Sequence, residues 1–247
     1  MIRHALNPVI LNLGPLEIRW YGLMYVLGFF VVYFYVRSMI KKKRLKLSVE
    51  ELDNLLVLLI FAMILGARLF YAIFYNPSYF VRFPLKFFAV WEGGLSFHGA
   101  LLAIILTGFF YCKKKNISFL ETADVFIVPV ALANAFGRIG NFINAELYGK
   151  VTGLPWGVLF PGVSGPRHPT QIYEAFYNVV IFSVLFFLRN KVKKKGVLLG
   201  LFLFLYAFFR FFVEFLKDLP VYGPLTMGQW LCLPMFVFGL WLVFRKK

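Results

Sequence analysis

The residues best suited to chemistry stand in one short stretch, Gly137-Arg138-Ile139-Gly140-Asn141-Phe142-Ile143-Asn144-Ala145-Glu146-Leu147-Tyr148-Gly149. Glycine lets the backbone approach a ligand closely. Arginine offers a planar fork that matches phosphate. Two amides and a glutamate add donors and acceptors, so the stretch reads as a site for a lipid headgroup or a phosphate. Further along the chain, Tyr206, Arg210 and Glu214 are spaced four apart and share one helix face. That trio alone fits a ligand site, and equally an intrahelical Arg–Glu pair that only lowers the cost of burial. His4, His98 and His168 match no zinc spacing.

These residues must be positioned by elements of an unusual chain. Its 247 residues are 61% hydrophobic, 20% aromatic and 15% charged, with a mean hydropathy of +0.76. Soluble domains average about 45–50% apolar and about 25% charged, so this composition is that of a membrane protein. The net charge of +16 does not indicate a nucleic-acid binder. The basic residues form short runs between apolar stretches rather than one soluble face. A spanning helix needs about 20 mostly apolar residues. Seven stretches qualify: 18–40, 52–75, 97–111, 119–137, 170–188, 197–216 and 227–244. The third is short for a span, and the 137–149 stretch is expected to stop the fourth. The first lacks a basic n-region and a small-residue cleavage site, which predicts a retained helix. Cys112 and Cys232 are expected at different membrane depths, as packing residues rather than a disulfide.

Charge sets the orientation. Lys41-Lys42-Lys43-Arg44 and Lys46 follow the first stretch, and Lys113-Lys114-Lys115 the third. Arg189, Lys191 and Lys193-Lys194-Lys195 follow the fifth, and Arg245-Lys246-Lys247 the seventh. The alternate loops carry few cations. Because cytoplasmic loops hold the Lys/Arg excess, the expectation is an all-α, polytopic membrane protein. It has seven transmembrane helices, its N-terminus out, its C-terminus in, and one membrane-embedded domain over residues 1–247.

Charges inside spans are costly and usually functional. Arg68, Arg138, Arg210 and Glu214 come late in outward-running stretches, whereas Tyr21, Tyr25, His98, His168 and Glu174 come early in inward-running ones. All are expected in the outer half of the membrane, which predicts a polar chamber opening outward. Trp20, Trp91 and Trp156 read as an interfacial belt.

The 137–149 stretch resembles the bacterial prolipoprotein diacylglyceryl transferases. It meets every fixed position of that family's pattern, G-R-x-G-N-F-x-N-x-E-x-x-G. The resemblance extends to the segments Arg19–Tyr25, Gly94–Ala100, His168–Ala175, Arg210–Phe215 and Leu225–Trp230. Cys232 and Lys217 depart from it, standing where serine and arginine are common.

The resemblance implies transfer of the diacylglyceryl group of phosphatidylglycerol to the thiol of a lipobox cysteine in a prolipoprotein signal peptide. A thioether forms and glycerol-1-phosphate leaves. The partners implied are phosphatidylglycerol, the prolipoprotein and membrane lipid, at the outer face of a bacterial cytoplasmic membrane. The displacement needs no cofactor or metal. In this reading Arg138 and Arg210 hold the phosphate, while Asn141 and Asn144 bond the glycerol headgroup. Glu146 and Glu214 orient the arginines or bind glycerol hydroxyls, and Tyr21 and Tyr206 position the lipid. His98 is the general base, with a structural role at a helix start as its alternative. Tyr173 and Glu174 are expected to be structural, and Arg68 is open between the two roles. The competing functions are a transporter or channel for an anionic solute and a non-catalytic lipid-binding protein. A transporter would be expected to show a second polar gate or two equal repeats, and the sequence offers neither.

Overall fold

A computed structural model describes the backbone of residues 2–14 and 16–246 and the side chains of all of these but Leu16. The helices are α1 (Trp20–Lys41), α2 (Val49–Phe74), α3 (Pro77–Arg82), α4 (Phe97–Lys114), α5 (Phe119–Ile143), α6 (Thr170–Leu188), α7 (Val197–Glu214) and α8 (Met227–Phe244). Six of them, α1, α2, α5, α6, α7 and α8, are long and apolar enough to cross a membrane. The chain is therefore a mostly helical, multi-pass membrane protein. Helix α4 is the element expected as the third of seven spans. It has 18 residues, about 27 Å at 1.5 Å per residue, against a hydrocarbon core of about 30 Å. His98 in its first turn and Lys113 and Lys114 in its last lower its apolarity. Lys247, the last residue of the terminal basic run, lies outside the described residues.

One expectation is corrected. Helix α5 does not stop at Gly137 but runs on to Ile143. Interior glycine weakens a helix by about 1 kcal/mol in water. In a membrane the backbone has no water to bond instead, so the ladder persists. It continues to Asn144, whose N–H bonds the Gly140 carbonyl at 3.0 Å. Ala145 and Leu147 then adopt the left-handed conformation, φ 56° and 59°, and turn the chain away. Arg138 and Asn141 are thus helical and three apart, on one face.

The chain forms two compact units. The first comprises residues 1–36 and 123–247. Its apolar core is Val128, Ala131, Tyr177, Ile181, Leu185, Leu198 and Phe202, from α5, α6 and α7. Asp124 on α5 accepts the N–H groups of Gly196 and Leu199 at 2.6 and 2.8 Å, capping the start of α7. α7 and α8 cross at Gly200 and Gly239, where a Cβ on Gly200 would lie 2.8 Å from the Gly239 carbonyl oxygen. Three short sheets close the loops. β1 (Ile2–Arg3) runs parallel to β4 (Val158–Leu159), β2 (Val9–Leu13) pairs with β3 (Leu16–Arg19), and β5 (Val221–Tyr222) pairs with β6 (Leu225–Thr226).

The second unit, residues 37–122, is built on α2 and α4. The two helices meet at Gly66 and Gly99, and a Cβ on either would overlap the other's backbone carbonyl. Ser48 and Glu51 form a capping box at the start of α2. Lys115 pairs with Glu51 at 2.7 Å, which raises the lysine's pKa above its ordinary value. Arg68, only 3% exposed, donates to the carbonyls of Lys86, Phe87, Ala89, Gly93 and Gly94. Its guanidinium also lies 4.9 Å from the Phe80 ring. Of the two roles open to Arg68, these contacts fit the structural one: its donors hold the 86–94 turn together.

Candidate active site

The motif at the end of α5 folds around Glu146. Arg138 Nη1 donates to Asn141 Oδ1 at 3.3 Å. Asn141 Nδ2 donates to Glu146 Oε1 at 2.8 Å, and Asn144 Nδ2 reaches the same oxygen at 3.4 Å. Gln171 Nε2 holds the Glu146 carbonyl at 2.5 Å, and Thr170 Oγ1 the Leu147 carbonyl at 2.8 Å. The motif's glycines differ in use. A Cβ at Gly149 would strike the Leu216 carbonyl oxygen, and one at Gly140 would lie 2.9 Å from the Tyr21 ring. A Cβ at Gly137 would meet nothing within 4 Å, so only Gly137 faces open space.

Arg138 also reaches across to α6. Its Nε lies 2.7 Å from Glu174 Oε2, and Lys217 Nζ lies 2.7 Å from Glu174 Oε1. Glu174 is 1% exposed and Lys217 9%. Sequence reasoning assigned Glu174 to helix structure and treated Lys217 as a departure. Both belong to the ion network of the motif arginine. The available signal was charge balance: a carboxylate buried in a span must meet a cation.

The Tyr206, Arg210 and Glu214 face is formed as its spacing requires. Arg210 Nη1 donates to Tyr206 Oη at 3.2 Å, and Arg210 Nη2 lies 3.8 Å from Glu214 Oε2. Glu214, 2% exposed, accepts from Thr226 Oγ1 at 3.2 Å. Tyr177, one turn beyond Glu174 on α6, meets the Tyr206 ring edge-to-face at 5.9 Å. The networks of the two arginines are therefore neighbours. Arg138 Nη2 makes no hydrogen bond among the described residues, and Arg210 Nη2 has only the long carboxylate pair. Such donors suit an anion with several acceptor oxygens, such as a phosphate diester.

The remaining candidates are placed as follows. Tyr21 Oη and Tyr25 Oη lie 3.0 Å apart on α1. His98 belongs to the second unit and is exposed. The cap of α4 is Ser96, whose Oγ accepts the Gly99 N–H at 3.4 Å, so His98, in the first turn, does not cap that helix. Trp156 Nε1 donates to Tyr173 Oη at 2.8 Å, and His168 Nδ1 lies 3.3 Å from the same hydroxyl. Burial pushes the His168 imidazole below its ordinary pKa. His4 is buried, with Nε2 2.9 Å from the Phe142 carbonyl at the base of the motif. Cys112 and Cys232 are free and buried.

The sequence profile described as prolipoprotein diacylglyceryl transferase matches residues 8–245. The chain belongs to that family. Its relatives include a phosphatidylglycerol–prolipoprotein diacylglyceryl transferase of Geobacter sulfurreducens, 45% identical over 98% of this chain and 97% of the relative. One of Desulfotalea psychrophila is 45% identical over 98% and 95%, and one of Bordetella avium is 43% identical over 95% and 92%. The diacylglyceryl transferase family thus covers both compact units, including the α5 motif, the Tyr206–Arg210–Glu214 face and the His98 segment.

Proposed function

We propose that this chain moves the diacylglyceryl group of phosphatidylglycerol onto the lipobox cysteine of a prolipoprotein. The activity for which its relatives are named supports that reaction. The observation that carries it to the residues is that the half-buried Arg138 and Arg210 stand in neighbouring networks, joined through Tyr177 and Tyr206, each with N–H donors left over. Those N–H groups donate to the phosphate oxygens of the lipid. Glu174 and Glu214 fix the two guanidinium planes. Asn141, Asn144 and Glu146 offer amide and carboxylate groups to the glycerol headgroup, and Tyr21 and Tyr206 border the lipid.

The cysteine thiol gives its proton to a base, and the sulfur forms a C–S bond to the glycerol carbon that carries the phosphate ester. The C–O bond breaks, and glycerol-1-phosphate leaves with the electron pair. Charge grows on the phosphate as the bond breaks, so fixed arginine donors lower the barrier. His98 is the proposed base. Its support is chemical: an exposed imidazole with no hydrogen bond among the described residues.

In this reading all 247 residues serve one transferase domain with seven spans, α4 joining the six long apolar helices as the third in chain order. The N-terminus is outside, the C-terminus is cytoplasmic, and the site opens toward the outer face of a bacterial inner membrane. The basic runs support that orientation.

The test uses purified protein, phosphatidylglycerol micelles and a lipobox peptide, read by mass spectrometry. Wild type is expected to make the peptide heavier by one diacylglyceryl group, and Arg138→Ala is expected to abolish the gain. A folded wild type that adds no mass refutes the reading.

A further inference from the structure

Tyr177 lies on α6, one turn beyond Glu174. Its ring is core. It stacks on Phe209 at 5.6 Å and 7°, and meets Tyr206 edge-to-face at 5.9 Å. It belongs to the apolar core with Val128, Ala131 and Ile181. None of these contacts needs a hydroxyl, and phenylalanine would make them all.

The hydroxyl is nevertheless there. The residue is 3% exposed, and its Oη has no hydrogen-bond partner among the described residues. A buried donor left unmade is destabilising, so a tyrosine in an otherwise apolar setting calls for a reason. The phenol stands between the two arginine networks. It meets Tyr206, whose hydroxyl accepts from Arg210, and lies one turn beyond Glu174, which pairs with Arg138 and Lys217. None of these groups accepts its proton among the described residues. The hydroxyl is left without an acceptor beside two arginines that only donate.

We infer that Tyr177 donates its hydroxyl proton to a phosphoryl oxygen of the bound phosphatidylglycerol, as a third donor beside Arg138 and Arg210. The inference rests on the function proposed above. It extends the phosphate site to a residue outside the motif and outside the α7 face. A neutral donor in this place stabilises charge that develops on the leaving phosphate, so its loss is felt mainly in the chemical step.

The experiment compares wild type, Tyr177→Phe and Arg138→Ala, each as full-length protein with phosphatidylglycerol and a lipobox peptide. Turnover and thermal unfolding without added phosphatidylglycerol are both measured. Tyr177→Phe is expected to lower kcat by roughly tenfold or more, while its unfolding temperature stays the same or rises, because an unmet buried hydroxyl has gone. That opposition of signs distinguishes a substrate contact from a structural one. A kcat within about twofold of wild type overturns the inference. So does a loss of turnover accompanied by a lower unfolding temperature. The failure of the underlying reading looks different: wild type itself adds no mass. Active wild type, inactive Arg138→Ala and wild-type-like Tyr177→Phe would remove Tyr177 alone.

Discussion

His98 differs from the motif residues in what it leaves uncommitted. Arg138, Asn141, Asn144 and Glu146 are tied to one another, whereas the His98 imidazole is exposed at the start of α4 and does not cap it. As a base it must take the thiol proton. His98→Gln keeps the size but cannot take the proton, and is expected to lose roughly 10²–10⁴ in rate. Turnover of the variant within about twofold of wild type would remove the base role. Single residues also show what was legible in the sequence. The motif could be read because its partners are neighbours in the chain. Glu174 could not be assigned to Arg138 and Lys217, because their meeting depends on how α5, α6 and the end of α7 pack.

Among the elements, the first turn of α8 has a defined task. Thr226 and Gln229 form a capping box, and Gln229 Nε2 also holds the Phe211 carbonyl at 3.2 Å. Gly228 lies directly against the Glu214 carboxylate, and a Cβ there would overlap Glu214 Oε1. The turn thereby sets where Glu214 sits, and Glu214 in turn faces Arg210. Gly228→Ala is expected to displace the carboxylate and cut transferase activity by roughly tenfold, about 1.4 kcal/mol of barrier. Adding Glu214→Asp, one methylene shorter, should restore part of the loss. A double variant no better than Gly228→Ala would point to damaged helix packing instead. Spacing alone revealed the shared face of Tyr206, Arg210 and Glu214. The role of Gly228 was hidden, since only the approach of α7 to α8 makes that glycine necessary. The end of α5 was misplaced for a related reason: Gly137 and Gly140 signal a stop in water, but not where the backbone has no other partner.

For the whole molecule, the open quantity is the number of crossings. Six helices qualify on length and apolarity, and the loop charges alternate as seven spans require. An odd number puts the termini on opposite sides. A fluorescent protein fused after the C-terminus should therefore be bright in bacteria, and alkaline phosphatase fused there inactive. The reverse, with the N-terminus outside, would remove α4 from the spanning set. Composition made the six long apolar helices legible, because bilayer thickness acts on sequence almost directly. The apolar patterns were weakest at α4, where a histidine and two lysines fall within a marginal length. The basic runs predict the orientation that the fusions test.

The turn wound around Arg68 bears on how the chain is made. Helix α2 leaves the ribosome before the carbonyls that will surround its arginine, which belong to residues 86–94. Until they emerge, the guanidinium can be satisfied only by water or lipid phosphate. Insertion of α2 is thus completed by synthesis of the segment that follows it. A released chain truncated before residue 86 should hold α2 less firmly in the bilayer than one truncated after residue 94.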